Sequence, residues 1–277
     1  MRTRVIYAQS PVWAEAAMRA EALIRGAGFE PVKDEGRTRA GFVALENGAR
    51  AFIKRFEAGS RGRGLWARVR GSRARRSLQG AELLESRGFR RPEPYAAAEV
   101  IDAGGISTSY LVSEALFRAA TFSAFLKIRG RSPEPEARWR AGILKAVARE
   151  VRRFHEAGLF SSDLQETNLM LEEAGGECRI YFVDLDRLRS PRRVRWRPRE
   201  RNLVQLDRSV GRFLSRSARL RFLYAYLGGR PERQRARELV GALLRRRARE
   251  DRYRQRRPAN ADARRDAALA SSNVRRG

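Results

Sequence analysis

The sequence predicts an α+β fold in two lobes, a small lobe rich in β-strands followed by a larger lobe rich in helices. In the first half, residues 40–56 and 95–114 form short apolar runs on either side of turns, a pattern typical of β-hairpins. In the second half, apolar residues recur at helical spacing over 136–158, 202–227 and 232–250. With 277 residues, the chain is long enough to bury the cores of two lobes.

An amphipathic helix is predicted near the N-terminus, over residues 11–27, and Gly26 and Gly28 end it. At the other end, the chain beyond residue 245 is rich in arginine and almost lacks large apolar side chains, which is typical of a disordered tail. The predicted segments are an N-terminal helical extension (1–30), an N-lobe (31–114), a C-lobe (115–244) and the basic tail (245–277).

Lys54 lies at the end of the second predicted strand of the N-lobe, after the hairpin dipeptide Asn47-Gly48. Lysines and arginines together number 60, yet lysine occurs only at 33, 54, 127 and 145, so a lysine here is informative. On such a strand, the compact ammonium can pair with the α- and β-phosphates of a nucleotide. The alternative is a surface lysine on an edge strand. The upstream segment Gly36–Gly41 does not follow the G-x-G-x-x-G pattern of a phosphate-binding loop.

A helix is predicted from Ser72 to Arg87, with Ser72 as its N-cap. In a nucleotide-binding lobe of this kind, the helix would supply a carboxylate that pairs with Lys54. Glu82 and Glu85 are the candidates and Glu82 is preferred, although both could equally be solvated charges on the helix surface. Farther along, Glu114 to Leu116 follow the last strand of the N-lobe, where a segment connecting the lobes would present backbone groups to adenine.

The strongest functional signal is the spacing of three polar residues in the stretch from Phe154 to Arg187. Asp163 precedes Asn168 by five residues, and a predicted strand–turn–strand follows Asn168 and ends at Asp184. Kinase chemistry requires an aspartate that accepts the hydroxyl proton, and an asparagine and a second aspartate that hold Mg²⁺ against the phosphates of ATP. A D-x-x-x-x-N match alone arises by chance in many chains. Followed by the hairpin and D-L-D, it favours a kinase with Asp163 as base and Asn168 and Asp184 as metal ligands.

The formal net charge of +28 indicates an anionic partner, either nucleic acid, an acidic membrane surface or a phosphorylated substrate. A general arginine bias of the source genome is the alternative. Nucleic acid is not expected, because no zinc-finger spacing, RNP-like motif or GXXG clamp is present. The one cysteine, Cys178, excludes an internal disulfide. No apolar run is long enough for a transmembrane helix, and a cytoplasmic protein is expected.

The chain resembles the lipopolysaccharide kinases of the Kdo/heptose (WaaP-like) type, which are distant relatives of protein kinases. The segments that carry the resemblance, within residues 40–227, are SRARRSLQGAELLESRGFRRPEP, FHEAGLFSSDLQETNLML, YFVDLDRLR and RNLVQLDRSVGRFL. The last segment, with Asn202, Leu206, Arg208 and Ser209, matches an N-L-x-x-L-x-R-S element that is not a general kinase feature.

The resemblance implies a bilobal protein-kinase-like fold and ATP-dependent phosphorylation of a sugar hydroxyl, of Kdo or heptose, in the lipopolysaccharide core. The partners it implies are the core glycolipid and an anionic membrane surface, with the protein held peripherally at the cytoplasmic face of the inner membrane. Residue by residue, it assigns phosphate binding to Lys54, the base to Asp163, and Mg²⁺ to Asn168 and Asp184.

The chain departs from the family pattern at three positions. Ser161 replaces the histidine of His-x-Asp, Gln165 stands where protein kinases often have lysine, and Asp186 replaces the glycine of D-x-G. Asp186 could be a further metal ligand or a partner of Arg187 or Arg189. Two alternatives stay open. One is a catalytically impaired kinase-like scaffold, which the Ser161 substitution and the weak phosphate loop support. The other is a different small-molecule phosphotransferase or a protein kinase, against which the N-L-x-x-L-x-R-S element and the missing glycine loop count.

Overall fold

The computed structural model describes residues 1–46, 48–58, 71–128 and 133–273. Asn47 of the predicted hairpin turn and residues 59–70 of the basic connection lie outside the described residues. The N-lobe strands are β1 (Arg2–Ala8), β2 (Phe29–Glu35), β3 (Thr38–Ala44), β4 (Arg50–Glu57), β5 (Pro94–Asp102) and β6 (Gly105–Ser113). The N-lobe helices are α1 (Pro11–Met18), α2 (Ala20–Arg25) and α3 (Arg73–Ser86).

The N-lobe is one antiparallel sheet in the order β1-β5-β6-β4-β3-β2. Side chains along each strand point alternately to the two faces of the sheet, so both faces carry apolar side chains. A different set of helices covers each face. On β4, Ala51 and Ile53 pack against α1 and α2, whereas Phe56 packs against α3 on the opposite face. Lys54 has the same parity as Phe56, so it points to the α3 side of the sheet.

The first 30 residues are part of the N-lobe, which differs from the predicted N-terminal extension. Strand β1 pairs with β5 and becomes the edge of the sheet, and the sequence analysis missed this strand and β2. The predicted helix over 11–27 is present as α1 and α2, which seal the outer face of the sheet.

The C-lobe is mainly helical. Its helices are α4 (Phe122–Ile128), α5 (Pro133–Glu156), α6 (Trp196–Val210), α7 (Arg216–Leu227) and α8 (Arg233–Asn273). Its short strands are β7 (Ala120–Thr121), β8 (Phe160–Ser161), β9 (Leu169–Ala174), β10 (Glu177–Phe182) and β11 (Leu188–Arg189). The hairpin β9–β10 is the strand–turn–strand that the sequence predicts between Asn168 and Asp184. The predicted α+β fold is therefore confirmed.

Three phenylalanines join the two lobes. Phe154 of α5 stacks on Phe182 of β10 with ring centroids 4.7 Å apart. Phe89, which follows α3, packs edge-on against both rings at 5.8 and 5.7 Å. Phe89 follows the C-terminal end of α3 and is buried in the C-lobe core. This packing fixes α3 relative to the β9–β10 hairpin.

The last helix continues where the sequence predicted a disordered tail from residue 245. Arg247 pairs with Asp207 of α6 at 2.7 Å, and Asp251 pairs with Arg208 at 2.8 Å. Charged side chains therefore replace apolar contacts in holding this part of α8 to the C-lobe. The composition of the segment, read by itself, could not reveal these partners on α6.

Close contact at Gly80 of α3 yields a prediction. A Cβ at this position would lie 2.6 Å from the Leu185 carbonyl oxygen, in the loop that follows Asp184. Gly80→Ala should therefore push this loop away from α3 and destabilise the fold by about 1–3 kcal/mol, a typical overpacking cost. Equilibrium urea unfolding measures the change.

Gly142→Ala is the matched control, because nothing lies within 4 Å of a Cβ at this position in α5. Alanine is favoured over glycine inside a helix by about 1 kcal/mol, so the control should be neutral or stabilising. Equal stability of the two variants would contradict the tight contact between α3 and the Asp184 loop.

Candidate active site

Asp163 lies in the loop after β8, and polar contacts fix its side chain. Gln165 Nε2 donates a hydrogen bond to Oδ1 at 2.6 Å, and Arg187 Nη1 lies 3.1 Å from Oδ2. The backbone N–H of Asp163 donates to the hydroxyl oxygen of Ser161 at 3.2 Å. Ser161, in the place of the family histidine, thus supports the backbone of the loop.

Asn168 is held beside Asp163 by its own side chain. Its Nδ2 donates to the Asp163 carbonyl oxygen at 2.7 Å, which orients the amide. The Asn168 carbonyl oxygen accepts from the Val183 N–H at 3.0 Å, which joins the loop to the end of β10. The amide oxygen makes no hydrogen bond to any described residue, so it can receive a cation.

Asp184 adopts the left-handed backbone conformation, with φ 61° and ψ 57°, at the end of the β9–β10 hairpin. Its Oδ1 lies 3.2 Å from Lys54 Nζ. Burial alone would raise the pKa of this carboxyl, but the attraction of Lys54, with smaller contributions from Arg73 and Arg187, holds the pKa below its usual value. Asp163, Asn168 and Asp184 line one small cavity, as the sequence predicts.

The donor set fits Mg²⁺. A carboxylate held ionised and an amide oxygen are the hard ligands that this cation prefers, and water and phosphate oxygens complete its shell in kinases. Among the described residues, no group of three or more His, Cys, Asp or Glu side chains could hold a metal. A metal at Asn168 and Asp184 would therefore depend on the nucleotide for further ligands.

The predicted pairing of Lys54 with Glu82 is wrong. Lys54 contacts Asp184 instead, Glu82 is exposed, and the other candidate, Glu85, pairs with Arg91 at 2.6 Å. The physical reason is the helical period of α3, whose buried positions include Ser77, Gly80, Ala81 and Leu84. Glu82 lies off this stripe, so it could have been excluded from the sequence alone.

Asp186 is an ion-pair partner of α3. Its buried carboxylate accepts from Arg73 Nε at 2.7 Å, and the Asp186 carbonyl oxygen accepts from Arg76 at 3.3 Å. Neither Arg187 nor Arg189, the partners suggested by the sequence, makes this contact, since Arg187 pairs with Asp163. Sequence reasoning missed Arg73, because only the folded chain brings α3 and the Asp184 loop together.

The segment between the lobes uses the side chain of Glu114 for support. The Glu114 N–H donates to the Glu93 carbonyl oxygen at 2.7 Å, and the Glu93 N–H donates to the Glu114 carboxylate at 3.1 Å. The Glu114 carbonyl oxygen and the Leu116 N–H make no hydrogen bond to any described residue. Both groups can therefore serve the edge of a nucleotide base, which is the role predicted for this segment.

An aromatic cluster that the sequence analysis missed lies beside this segment. Phe42 and Phe52 are paired across β3 and β4 with ring centroids 5.2 Å apart, and Phe117 packs on Phe42 at 5.0 Å. Phe52 lies two residues before Lys54 on β4, so the two side chains are on the same face of the sheet. Alternation along the strand could have placed Phe52 on this face.

Helix α6 braces the loop that carries Asp163. Asn202 Nδ2 donates to the Ser161 carbonyl oxygen at 2.7 Å. Gln205 Nε2 donates to the Ser162 carbonyl oxygen at 3.0 Å, and its Oε1 accepts from the Leu164 N–H at 3.2 Å. The N-L-x-x-L-x-R-S element is thus the support of the loop, and the sequence analysis named the element without this role.

His155 completes the brace from α5. Asn202 donates through Nδ2, so its Oδ1 accepts from His155 Nε2 at 3.0 Å, and His155 Nδ1 accepts from the Tyr226 hydroxyl at 2.9 Å. This network assigns a neutral imidazole with its proton on Nε2. Burial lowers the pKa of His155 to about 4, against the hydrogen bond of Asn202, which acts in the opposite direction.

The fold and the arrangement of these residues define a protein of the protein-kinase-like class. The chain belongs to the lipopolysaccharide kinase (Kdo/WaaP) family, whose family model matches residues 54–226. It is therefore a sugar kinase, with ATP as the phosphate donor that a kinase family implies.

Two relatives are named 3-deoxy-D-manno-octulosonic acid kinase. The protein of Xylella fastidiosa (strain M12) is 32% identical over 189 residues, covering 65% of this chain and 69% of the relative. The protein of Xanthomonas oryzae pv. oryzae (strain PXO99A) is 31% identical over 188 residues, with the same coverage of 65% and 69%. A solved structure described as WaaP in complex with acyl carrier protein has a similar fold, with a TM-score of 0.62, 24% identity, and coverage of 90% of this chain and 98% of that chain.

The neutral state of His155 predicts how stability depends on pH. The folded pKa of about 4 lies below the ordinary 6.5, so the unfolded chain binds more protons between these values. The neutral form of His155 therefore adds on the order of 3 kcal/mol to the free energy of unfolding. This stabilisation is fully present above about pH 6.5 and is lost as pH falls toward 4. His155→Gln should remove this part of the pH dependence of unfolding.

Because His155 is the only histidine in the chain, NMR can follow its imidazole directly. The ring signals should stay those of the neutral form down to near pH 4. Protonation near pH 6.5 in the folded protein would contradict the buried network with Asn202 and Tyr226.

Proposed function

We propose that this protein transfers the γ-phosphoryl group of ATP, in a Mg²⁺-dependent reaction, to a hydroxyl of 3-deoxy-D-manno-octulosonic acid (Kdo) in the lipopolysaccharide core. The observation that carries the proposal is the convergence of Asp163, Asn168 and Asp184 on one cavity, with Lys54 in contact with Asp184. Kdo is chosen over heptose because the relatives described above are named as kinases of this acid.

Each site residue has a role that its contacts support. Asp163 would accept the proton of the acceptor hydroxyl, since its carboxylate is fixed in the loop and partly open to solvent. Lys54 would bind the α- and β-phosphates, and the Glu114 carbonyl oxygen and Leu116 N–H would bind adenine. Asn168 and Asp184 would hold Mg²⁺, which supplies charge neutralisation to the phosphates when bound.

The brace of the loop supports an active enzyme over an impaired scaffold. Ser161 replaces the family histidine, yet the Asp163 N–H still has an acceptor in the Ser161 hydroxyl. Asn202 holds the carbonyl group of Ser161 from the other side.

The proposed roles predict different defects for two substitutions. Asp163→Asn removes only the base, so phosphate transfer to Kdo-bearing lipid should fall by about 10²-fold or more while ATP binding persists. Asp184→Ala removes a metal ligand and the partner of Lys54, so Mg²⁺-dependent nucleotide binding should be lost. Radiolabel transfer and calorimetry with and without Mg²⁺ measure the two effects.

Glu82→Gln is the control, because Glu82 is exposed and does not contact Lys54. Its activity should stay within about twofold of the wild type, as is usual for a surface substitution. Near-normal transfer by Asp163→Asn would remove Asp163 from the role of base. Equal ATP affinity of the wild type with and without Mg²⁺ would refute the metal site.

Peripheral attachment to an anionic membrane surface is the second part of the proposal. No helix in the described part of the chain is long and apolar enough to cross a membrane. From the end of β11 into the first turn of α6, the arginines at 192, 193, 195 and 197 are all exposed. Each basic residue near an anionic surface contributes on the order of 1 kcal/mol, screened over a Debye length.

Replacing these four arginines by glutamine should therefore weaken binding to anionic vesicles by roughly tenfold or more at low salt. Vesicle co-sedimentation measures the binding. The matched control changes the same amount of charge at four other exposed arginines, 221, 230, 233 and 237. Identical binding of the wild type to neutral and anionic vesicles at low salt would exclude an electrostatic attachment.

A further inference from the structure

Arg187 is a cation placed directly on the proposed base. It ends the short 3-10 helix Leu185–Arg187, and its Nη1 lies 3.1 Å from Asp163 Oδ2. The side chain is 52% exposed, so the guanidinium can be reached from solvent. It makes no other side-chain hydrogen bond within the described part of the chain, which leaves most of its donors free.

This contact does not help proton transfer, because it occupies Oδ2, one of the two carboxylate oxygens of Asp163 that could receive the hydroxyl proton. The position of the guanidinium is explained if an anionic group of the acceptor replaces Asp163 as its partner when the acceptor binds.

We propose that Arg187 binds the carboxylate of the acceptor sugar and thereby selects an acidic sugar over a neutral one. This inference rests on the proposed function. In the structure Arg187 pairs with Asp163, and in the acceptor complex it turns to the sugar carboxylate and leaves Oδ2 to the reacting hydroxyl. Arg187 makes and breaks no covalent bond, so its role is recognition of the substrate.

The distances permit this exchange. The acceptor hydroxyl must come within about 2.6–3.2 Å of an Asp163 oxygen to pass on its proton. In a cyclic octulosonic acid, the ring hydroxyls lie four or five bonds from the carboxylate carbon, which corresponds to about 4–6 Å with ordinary bond lengths. A guanidinium that already touches Asp163 can therefore reach a carboxylate on the same sugar ring.

Arginine is suited to this task. Its planar fork binds carboxylates through two parallel hydrogen bonds, and its charge does not depend on pH in the working range. A heptose offers only hydroxyl groups and would leave the guanidinium with Asp163. Arg187 would therefore position the hydroxyl of the acidic sugar beside Asp163 and disfavour the neutral sugar.

The test compares two acceptors with two forms of the full-length enzyme. One acceptor is Kdo-bearing lipid, and the other is the same lipid with the Kdo carboxyl group reduced to a primary alcohol. The wild type should prefer the acid in kcat/KM by about tenfold or more, the range of a charge-assisted hydrogen bond. Arg187→Gln should bring the two acceptors to within about twofold of each other.

Arg189→Gln is the matched control, because Arg189 is exposed, lies two residues farther along and has no assigned role in the site. It should keep the wild-type preference. The ratio of the two acceptors cancels any general effect of the Arg187 substitution on the base, in the manner of a double-mutant cycle.

A binding measurement separates this inference from the proposed function. Calorimetry without nucleotide should show tighter binding of the acid than of the reduced acceptor to the wild type, and equal binding to Arg187→Gln. If the wild type transfers phosphate to neither acceptor, the proposed function is wrong, and the calorimetric comparison still decides the role of Arg187. An equal loss with both acceptors in Arg187→Gln would overturn the carboxylate assignment and place Arg187 on the transferred phosphoryl group or the base.

Discussion

The side chain of Asn202 is the interaction on which the geometry of the active site depends. It is fully buried and uses all its hydrogen-bonding groups at once, toward His155, Ser161 and Gln205. A buried amide stabilises only when its partners are satisfied, and removing one partner costs about 1–3 kcal/mol per orphaned group. Because His155 belongs to α5 and Asn202 to α6, this amide ties two helices and the Asp163 loop into one unit.

A second link joins the N-lobe to the same site. In protein kinases, a lysine–glutamate pair couples the strand and the helix of the small lobe. Here the strand lysine pairs with Asp184, and the helix is coupled through Arg73 and Asp186 instead. Gly80 permits the close approach of α3 that this pairing requires. The position of α3 is therefore coupled to the loop that carries Asp184, although no glutamate of α3 takes part.

Much of the fold followed from local patterns in the sequence. The N-lobe hairpins, the N-cap at Ser72 and the β9–β10 hairpin depend on neighbours in the chain, and the structure contains them. Strand β1 was missed because its pairing with β5 joins residues that are far apart in sequence. The extent of α8 was missed for the same reason, since its partners Asp207 and Arg208 lie on α6.

The site shows the same division. The positions of Asp163, Asn168 and Asp184 follow from spacing around one hairpin, which is a local property. The residues next to them in the loops are held by side chains that are distant in sequence. Three of these side chains, Arg73, Asn202 and Gln205, lie on helices that sequence patterns cannot place against the loops. Glu82 is different, because the helical stripe of α3 already points it away from Lys54.

Electrostatics connects these observations. In a chain with a formal net charge of +28, three aspartates in and around the site each have a basic partner. Asp163 meets Arg187, Asp184 meets Lys54, and Asp186 meets Arg73. The pair at Asp186 is the most buried and lies behind the loop, so it can persist as a structural link. Asp163 and Asp184 line the cavity. Under the proposed function, a polyanionic nucleotide and an acidic sugar would offer their partners Lys54 and Arg187 new anions to bind. Opposite charges thus hold the site in order, and under the proposal these ion pairs would exchange partners when the substrates bind.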